Sequence, residues 1–211
     1  MSAPARAFTV RHIQLLRAAF AAIAALMVTF SSDHSAAVGL AVFSGFAIVT
    51  GFVLALGAWL VAEPGHRWPY VLLAVIDGLA GMVAGVPLWR TEDMFFVVVI
   101  SWAVLSGVVE IIVGLRGRRA NDPLARDQLL IGGLGILLAA ALLLIPAGFS
   151  SDYTVDDAGT FQLTGIILGV GMLGGYAALV AVFLGIAGFT PLRDDAQTPA
   201  ADAAPLSGGA A

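Results

Sequence analysis

The chain has no cysteine, which excludes disulfides, thiolate metal sites and cysteine nucleophiles. Lysine is absent as well, so all ten basic residues are arginine; Schiff-base chemistry and phosphate-loop lysines are excluded with it. Charge of either sign is scarce. Asp, Glu, Lys and Arg make up 11% of the 211 residues, against ~25% in a soluble domain. The formal net charge of -4 gives nucleic acid no electrostatic footprint. What is present is apolar: hydrophobic residues are 60% of the chain and the mean hydropathy is +0.97. They fall in long unbroken runs, which exclude a water-soluble globule, disorder, collagen and a coiled coil.

A bilayer core of ~30 Å needs about 20 apolar residues in a helix. Six segments meet or approach that length: Ile13–Phe30, Ala36–Ala62, Pro69–Trp89, Met94–Leu115, Gln128–Pro146 and Phe161–Phe189. The second and sixth exceed it, which predicts tilt or extension beyond the core. The expected fold class is an all-α integral membrane protein, a six-helix bundle. Residues 1–12 form a short N-terminal segment, residues 13–189 the membrane domain, and residues 190–211 a tail. The tail is rich in Ala, Pro, Gly and Asp and is expected to be disordered.

Arginine placement orients the bundle. With the N-terminus inside, Arg6, Arg11, Arg17, Arg67, Arg116, Arg118, Arg119, Arg126 and Arg193 fall on the inner side and only Arg90 on the outer. This is the positive-inside pattern of a plasma (inner) membrane protein with both termini cytoplasmic. Outer links carry Asp33, Glu92, Asp93, Asp152, Asp156 and Asp157. Trp59, Trp68 and Tyr70 lie near the inner interface, and Trp89 and Tyr153 near the outer one, as amphipathic anchors. The arginines, first apolar stretch and Ser35-Ala36-Ala37 resemble a secretory signal. The length of that stretch and the span directly after it favour an uncleaved first helix.

Self-similarity runs along the chain. Thr50-Gly51, Ser106-Gly107 and Thr164-Gly165 recur at spacings of 56 and 58 residues, each read as lying inside an even-numbered span; Phe30, Pro87 and Pro146 end the odd-numbered spans at spacings of 57 and 59. These spacings predict three tandem parallel hairpin repeats, about 13–62, 69–115 and 128–189. Units that each cross twice share one orientation and are related about the membrane normal. Gly81-x-x-x-Gly85, Gly165-x-x-x-Gly169 and Gly171-x-x-x-Gly175 put small residues on one helix face and allow close backbone approach. Packing within the bundle is their expected role, with homodimerisation as the alternative.

Three tandem hairpins, a proline closing the odd helices and a Ser/Thr-Gly inside the even ones resemble the HdeD-type acid-resistance membrane protein family over Ile13 to Phe189. The first unit departs by carrying Phe30 where Pro87 and Pro146 stand in the others. The resemblance implies a small six-span inner-membrane protein, linked in some members to acid stress, and supplies no site motif.

Charged side chains inside a span cost ~2.5–3.5 kcal/mol each at its centre on insertion scales and mark candidate sites. Three occur. Arg17 lies about 6 Å into the first span, Asp77 about 12 Å into the third and Glu110 about 8 Å from the inner end of the fourth, at the helical rise of ~1.5 Å per residue. Arg17 either snorkels to the headgroups or pairs with Asp77 or Glu110. Glu110 has the same choice, or is neutral. Asp77 is too short and deep to snorkel, which leaves a structural hydrogen bond, an ion pair or proton handling. In the repeat register Asp77 corresponds to Phe20 and Ile136, and Glu110 to Leu54 and Leu168, so the charges break the repeat.

His12, His34 and His66 lie at interfaces, without metal-ligand spacing. No nucleophile elbow, dinucleotide loop or phosphate loop is present, and Arg116, Arg118, Arg119 and Arg126 read as a topology anchor. The expectation is a non-enzymatic membrane protein with a structural or stress-protective role and no cofactor. A small transporter or proton-linked channel using Asp77 and Glu110 is the alternative. The expected partners are the lipid bilayer and other membrane proteins or further copies of the chain. Because the chain lacks cysteine, single introduced cysteines test the topology cleanly: Arg118→Cys and Asp156→Cys should react with an impermeant thiol reagent from opposite sides. Reaction from the same side refutes the six-span reading.

Overall fold

The computed structural model describes residues 8–146, 148–155 and 159–190. Arg6, Arg193, Asp156, Asp157 and the expected tail beyond Thr190 lie outside the described residues. Six α-helices follow one another: α1 Val10–Phe30, α2 Ala36–Leu60, α3 Trp68–Gly85, α4 Glu92–Arg119, α5 Ala125–Leu143 and α6 Gly165–Phe189. All six are long and apolar enough to cross a membrane. Large apolar side chains face outward along them, among them Phe30, Phe52, Leu79, Leu137 and Val182, as lipid-facing helices require.

Local chemistry sets the helix ends. Ser35 accepts a hydrogen bond from the Val38 N–H at the start of α2, and Thr91 from Met94 N–H at the start of α4; both satisfy otherwise orphaned donors. Glu92 and Asp93 sit in the first turn of α4 and Arg116, Arg118 and Arg119 in its last, the arrangement the helix dipole favours. Helix α3 stops at Gly85 because Pro87 disfavours helical geometry at Val86. A 3-10 turn, Pro87–Trp89, follows. Arg90, the one described arginine of its end, bends back to donate to the carbonyls of Ala84 and Gly85 at 3.4 and 3.3 Å. It therefore serves as a cap for α3.

The sixth helix starts later than its apolar run. Phe161–Thr164 belong instead to a β-hairpin, β1 Ser150–Val155 and β2 Gly159–Thr164, antiparallel with Ser150 opposite Thr164 and Tyr153 opposite Phe161. Tyr153 and Phe161 stack with centroids 5.8 Å apart. Alternation of Thr160, Gln162 and Thr164 with Phe161 and Leu163 is a strand period, hidden by its continuity with the apolar run of α6. The hairpin is the departure from an all-α architecture among the described residues. It also corrects the third repeat mark: Thr164 is the N-cap of α6 and Gly165 its first residue. Thr50-Gly51 and Ser106-Gly107, by contrast, lie in mid-helix. Leu168, the expected counterpart of Glu110, consequently sits near the opposite end of its helix.

The helices form a closed ring in chain order, with α1 packed against α6. Interfaces alternate: α2–α3, α4–α5 and α1–α6 are close, while α1–α2, α3–α4 and α5–α6 are looser. Tight contact thus falls between the expected hairpin units rather than within them. Glycine explains the choice. A Cβ on Gly81 would meet Ile48, one on Gly132 the Gly107 carbonyl at 2.7 Å, one on Gly174 Val28 and one on Gly188 Leu15. Gly85 faces the Ser44 hydroxyl and Gly169 the Phe95 ring. Gly165 lies against Ile145. Gly171 and Gly175 face open space, so the third glycine pair packs against nothing among the described residues. One end of the ring carries the links 61–67 and 120–124 and every described arginine except Arg17, inside the ring, and Arg90; the other carries the links 31–35 and 86–91 and the described residues of 144–164. These are called here the arginine end and the hairpin end.

Gly132→Ala should therefore lower the thermal stability of the detergent-purified protein by ~1–3 kcal/mol, the usual cost of overpacking. Gly171→Ala, in open space, should leave it unchanged or raise it by up to ~1 kcal/mol through helix propensity. Equal effects at the two sites would refute the packing assignment.

Candidate functional site

The polar residues inside the ring converge. Arg17 on α1 reaches across to Glu110 on α4, with Nη2 2.8 Å from Oε1. The Glu110 side chain is 7% exposed and that of Arg17 18%. Asp77 on α3 is buried and accepts a hydrogen bond at Oδ1 from the Trp102 indole Nε1–H on α4. Arg17 is thus paired rather than snorkelled to the headgroups, and its partner is Glu110. Asp77 takes the hydrogen-bond alternative. A charge held in low dielectric gains more from a bonded counter-charge than from partial solvation at the rim, provided the geometry is good.

Trp102 organises the site. Its ring is met edge-on by Phe43, Phe46 and Tyr176, with centroids 5.1, 5.9 and 5.7 Å away, arrangements that suit the aromatic quadrupole. Its carbonyl accepts the Ser106 hydroxyl at 2.7 Å. On the far side of α2, Ser44 donates to the Gly81 carbonyl at 2.7 Å, tying α2 to α3 where both backbones are close. Helix α2 also brings Gly51 against Ala74, Asp77 and Gly78. Small size at residue 51 is what lets α3 carry Asp77 into the ring.

Two cavities flank the ion pair. The first, a chamber of about 10 Å³, is bordered by Asp77, Thr50, Ser106, Trp102 and Tyr176 together with Arg17 and Glu110. The second, a vestibule of about 50 Å³ toward the arginine end, is bordered by Gln14, Tyr70, Asp127 and Gln128 and again by Arg17 and Glu110. Gln14 donates to Asp127 at 3.2 Å, linking α1 to α5. Among the described residues no three His, Asp or Glu side chains come together as metal ligands.

Arg17, Asp77 and Glu110, the three intramembrane charges expected from the sequence either to pair or to stand alone, thus border one chamber. Trp102, Tyr176 and the Gln14–Asp127 pair were missed. The available signal for Trp102 was its place: the other three tryptophans lie near span ends, and an indole in mid-span needs a buried acceptor. Thr50 and Ser106 were noted only as repeat marks, yet both line the chamber. The histidines stand apart from it. His12 accepts from the Thr9 N–H at 3.2 Å at the start of α1, and His34 and His66 lie in links.

Trp102→Phe removes the donor that Asp77 has among the described residues while keeping an aromatic ring. It should destabilise the protein by ~1–3 kcal/mol, the cost of leaving a buried acceptor unsatisfied. Asp77→Asn, which keeps an acceptor oxygen for the indole, should cost less than Asp77→Leu in the same unfolding assay. The reverse order would remove the indole bond from the account.

No family model matches the chain, and no curated protein or solved structure matches it.

Proposed function

We propose that this chain is a non-enzymatic multi-pass membrane protein with a structural, stress-protective role, whose interior charges act as a brace. One observation carries this reading: the intramembrane charges are bonded to partners from other helices around a chamber too small for a solute. Helices α1 and α4 stand on opposite sides of the ring, and the Arg17–Glu110 pair is the arm between them. The stress-protective part rests on the HdeD-type resemblance in the sequence. The location proposed is the plasma (inner) membrane, with the arginine end and both termini cytoplasmic; Arg11, Arg67, Arg116, Arg118, Arg119 and Arg126 support it by the positive-inside rule. Three tandem units are supported by the alternation of close and loose interfaces, with the β-hairpin inserted in the third. The bilayer is the partner proposed for the outward apolar faces, and Gly171 and Gly175 offer a small-residue face for a second copy.

The alternative, a proton-linked channel or transporter using Asp77 and Glu110, is favoured by the vestibule. It requires openings on both sides of Asp77. Phe43 and Phe46 fill the hairpin side, and that weighs for the structural reading.

A brace has a recognisable mutational pattern. Arg17→Met or Glu110→Met alone leaves one buried charge unpaired and should cost ~3–5 kcal/mol, whereas the double variant should return to wild-type stability or exceed it. Thermal unfolding in detergent checks this. Losses in the double variant equal to the sum of the single ones would overturn the brace.

A further inference from the structure

Three buried side-chain atoms have no hydrogen-bond partner among the described residues: Arg17 Nε, Thr50 Oγ1 and Gln128 Oε1. They are not scattered. Thr50 borders the chamber, Gln128 the vestibule, and Arg17 both. Buried polar groups are rarely left unsatisfied, and leaving one costs more than filling its site with water. A water needs ~10–15 Å³ of this kind of space and two to four polar partners. The chamber's 10 Å³ fits one molecule and the vestibule's 50 Å³ a few. The sites that need water and the spaces that admit it coincide.

We propose that the two cavities are hydrated and form a one-ended proton-binding site, in which Asp77 exchanges its proton with the arginine end alone. The groups facing Asp77 are Arg17 from α1, Thr50 from α2, Trp102, Ser106 and Glu110 from α4, and Tyr176 from α6. A proton entering along vestibule water passes the Arg17–Glu110 pair, by way of the Glu110 carboxylate or the water beside it, to the chamber water. That water gives a proton to Asp77 Oδ2, the oxygen that Trp102 leaves free. One O–H bond breaks at the water as one forms at the carboxyl, and the indole stays on Oδ1. Release runs the same steps backwards.

Among the described residues, the path does not continue toward the hairpin end. Leu40, Phe43, Phe95, Val99 and Val170 are fully buried there, and the ring edges of Phe43 and Phe46 close on Trp102. Ser44, the buried polar side chain at that level, has its hydroxyl engaged by the Gly81 carbonyl, and the apolar filling around it supports no chain of water. The site therefore loads and unloads a proton from one side without conducting it. This inference goes beyond the brace: its failure would leave the brace's mutational pattern untouched.

The test uses the full-length protein in phospholipid vesicles. Infrared difference spectra between acidic and neutral buffer should show a protonated-carboxyl band that is missing in Asp77→Asn and shifts on transfer to D2O. Thr50→Val removes the hydroxyl that holds the chamber water and should slow that shift roughly tenfold, the equivalent of one hydrogen bond. Vesicles loaded with a pH-sensitive dye should show proton flux no faster than empty vesicles. Absence of an Asp77-dependent band, a band indifferent to D2O, an unchanged rate in Thr50→Val or flux above empty vesicles would each overturn the proposal. Should Asp77→Asn fail to fold, the wild-type shift and its slowing in Thr50→Val decide the matter alone.

Discussion

Lipid removes the hydrophobic drive that assembles soluble helices, because an acyl chain solvates leucine as well as another leucine does. Backbone approach has to take its place, and the rest of the structure depends on it. Gly107 and Gly132 bring α4 and α5 so near that neither has room for a Cβ; Gly81 does the same for α2 and α3, where Gly51 lies in close contact with Ala74 and Gly78. Gly174 and Gly188 admit Val28 and Leu15 from α1 and thereby close the ring. Where such glycines are missing, at α1–α2, α3–α4 and α5–α6, the interfaces are looser. Short links can join helices that barely pack. Contact follows the small residues, not the connectivity.

A ring held by edge contacts leaves its middle to be filled, and here it is filled by long side chains from opposite walls. Arg17 and Glu110 are suited to this, because each has a flexible stem and a head able to make charge-assisted hydrogen bonds. A shorter acid at residue 110 would not reach α1. Asp77 needs no reach, since Gly51 lets α3 approach and Trp102 stands beside it on the neighbouring helix. The two carboxyls therefore differ in partner because their helices differ in position around the ring. One spans it, and the other packs within a single interface.

Much of this was legible in the sequence, for reasons that also mark where legibility stopped. The six helices follow from run length, since a backbone in lipid has no other way to satisfy its hydrogen bonds in a single segment. The apolar runs, with Pro87 closing the third, gave the ends of α3 and α4 to within a few residues. The β-hairpin escaped because Phe161 and Leu163 are apolar enough to be counted into the next span; only the alternation with Thr160, Gln162 and Thr164 separates them. That miscount carried the Thr164-Gly165 mark into false register with mid-helix Gly51 and Gly107. The partner of Arg17 was not legible either. In soluble helices an apolar stripe fixes which face turns inward, but α4 has no such one-sided stripe, and the direction in which Glu110 points is set by packing alone.

The depth of the polar cluster has its own physical logic. The penalty for a charge in a span rises toward the bilayer centre and falls where water or a counter-charge reaches it. Arg17 and Glu110 lie in the half of the ring nearer the arginine end, beside the vestibule, where both reliefs are available. Asp77 lies deeper and relies on the indole of Trp102 and the room for one water. Beyond it the lining changes to aromatic and aliphatic side chains at the level of Phe43 and Phe46. Moving that boundary one helical turn toward the arginine end would bury Asp77 with no polar neighbour except the indole. Moving it one turn the other way would open the chamber toward the hairpin end and give the interior charges a route through the membrane. The aromatic layer stands at the depth that satisfies the acid and still seals the ring.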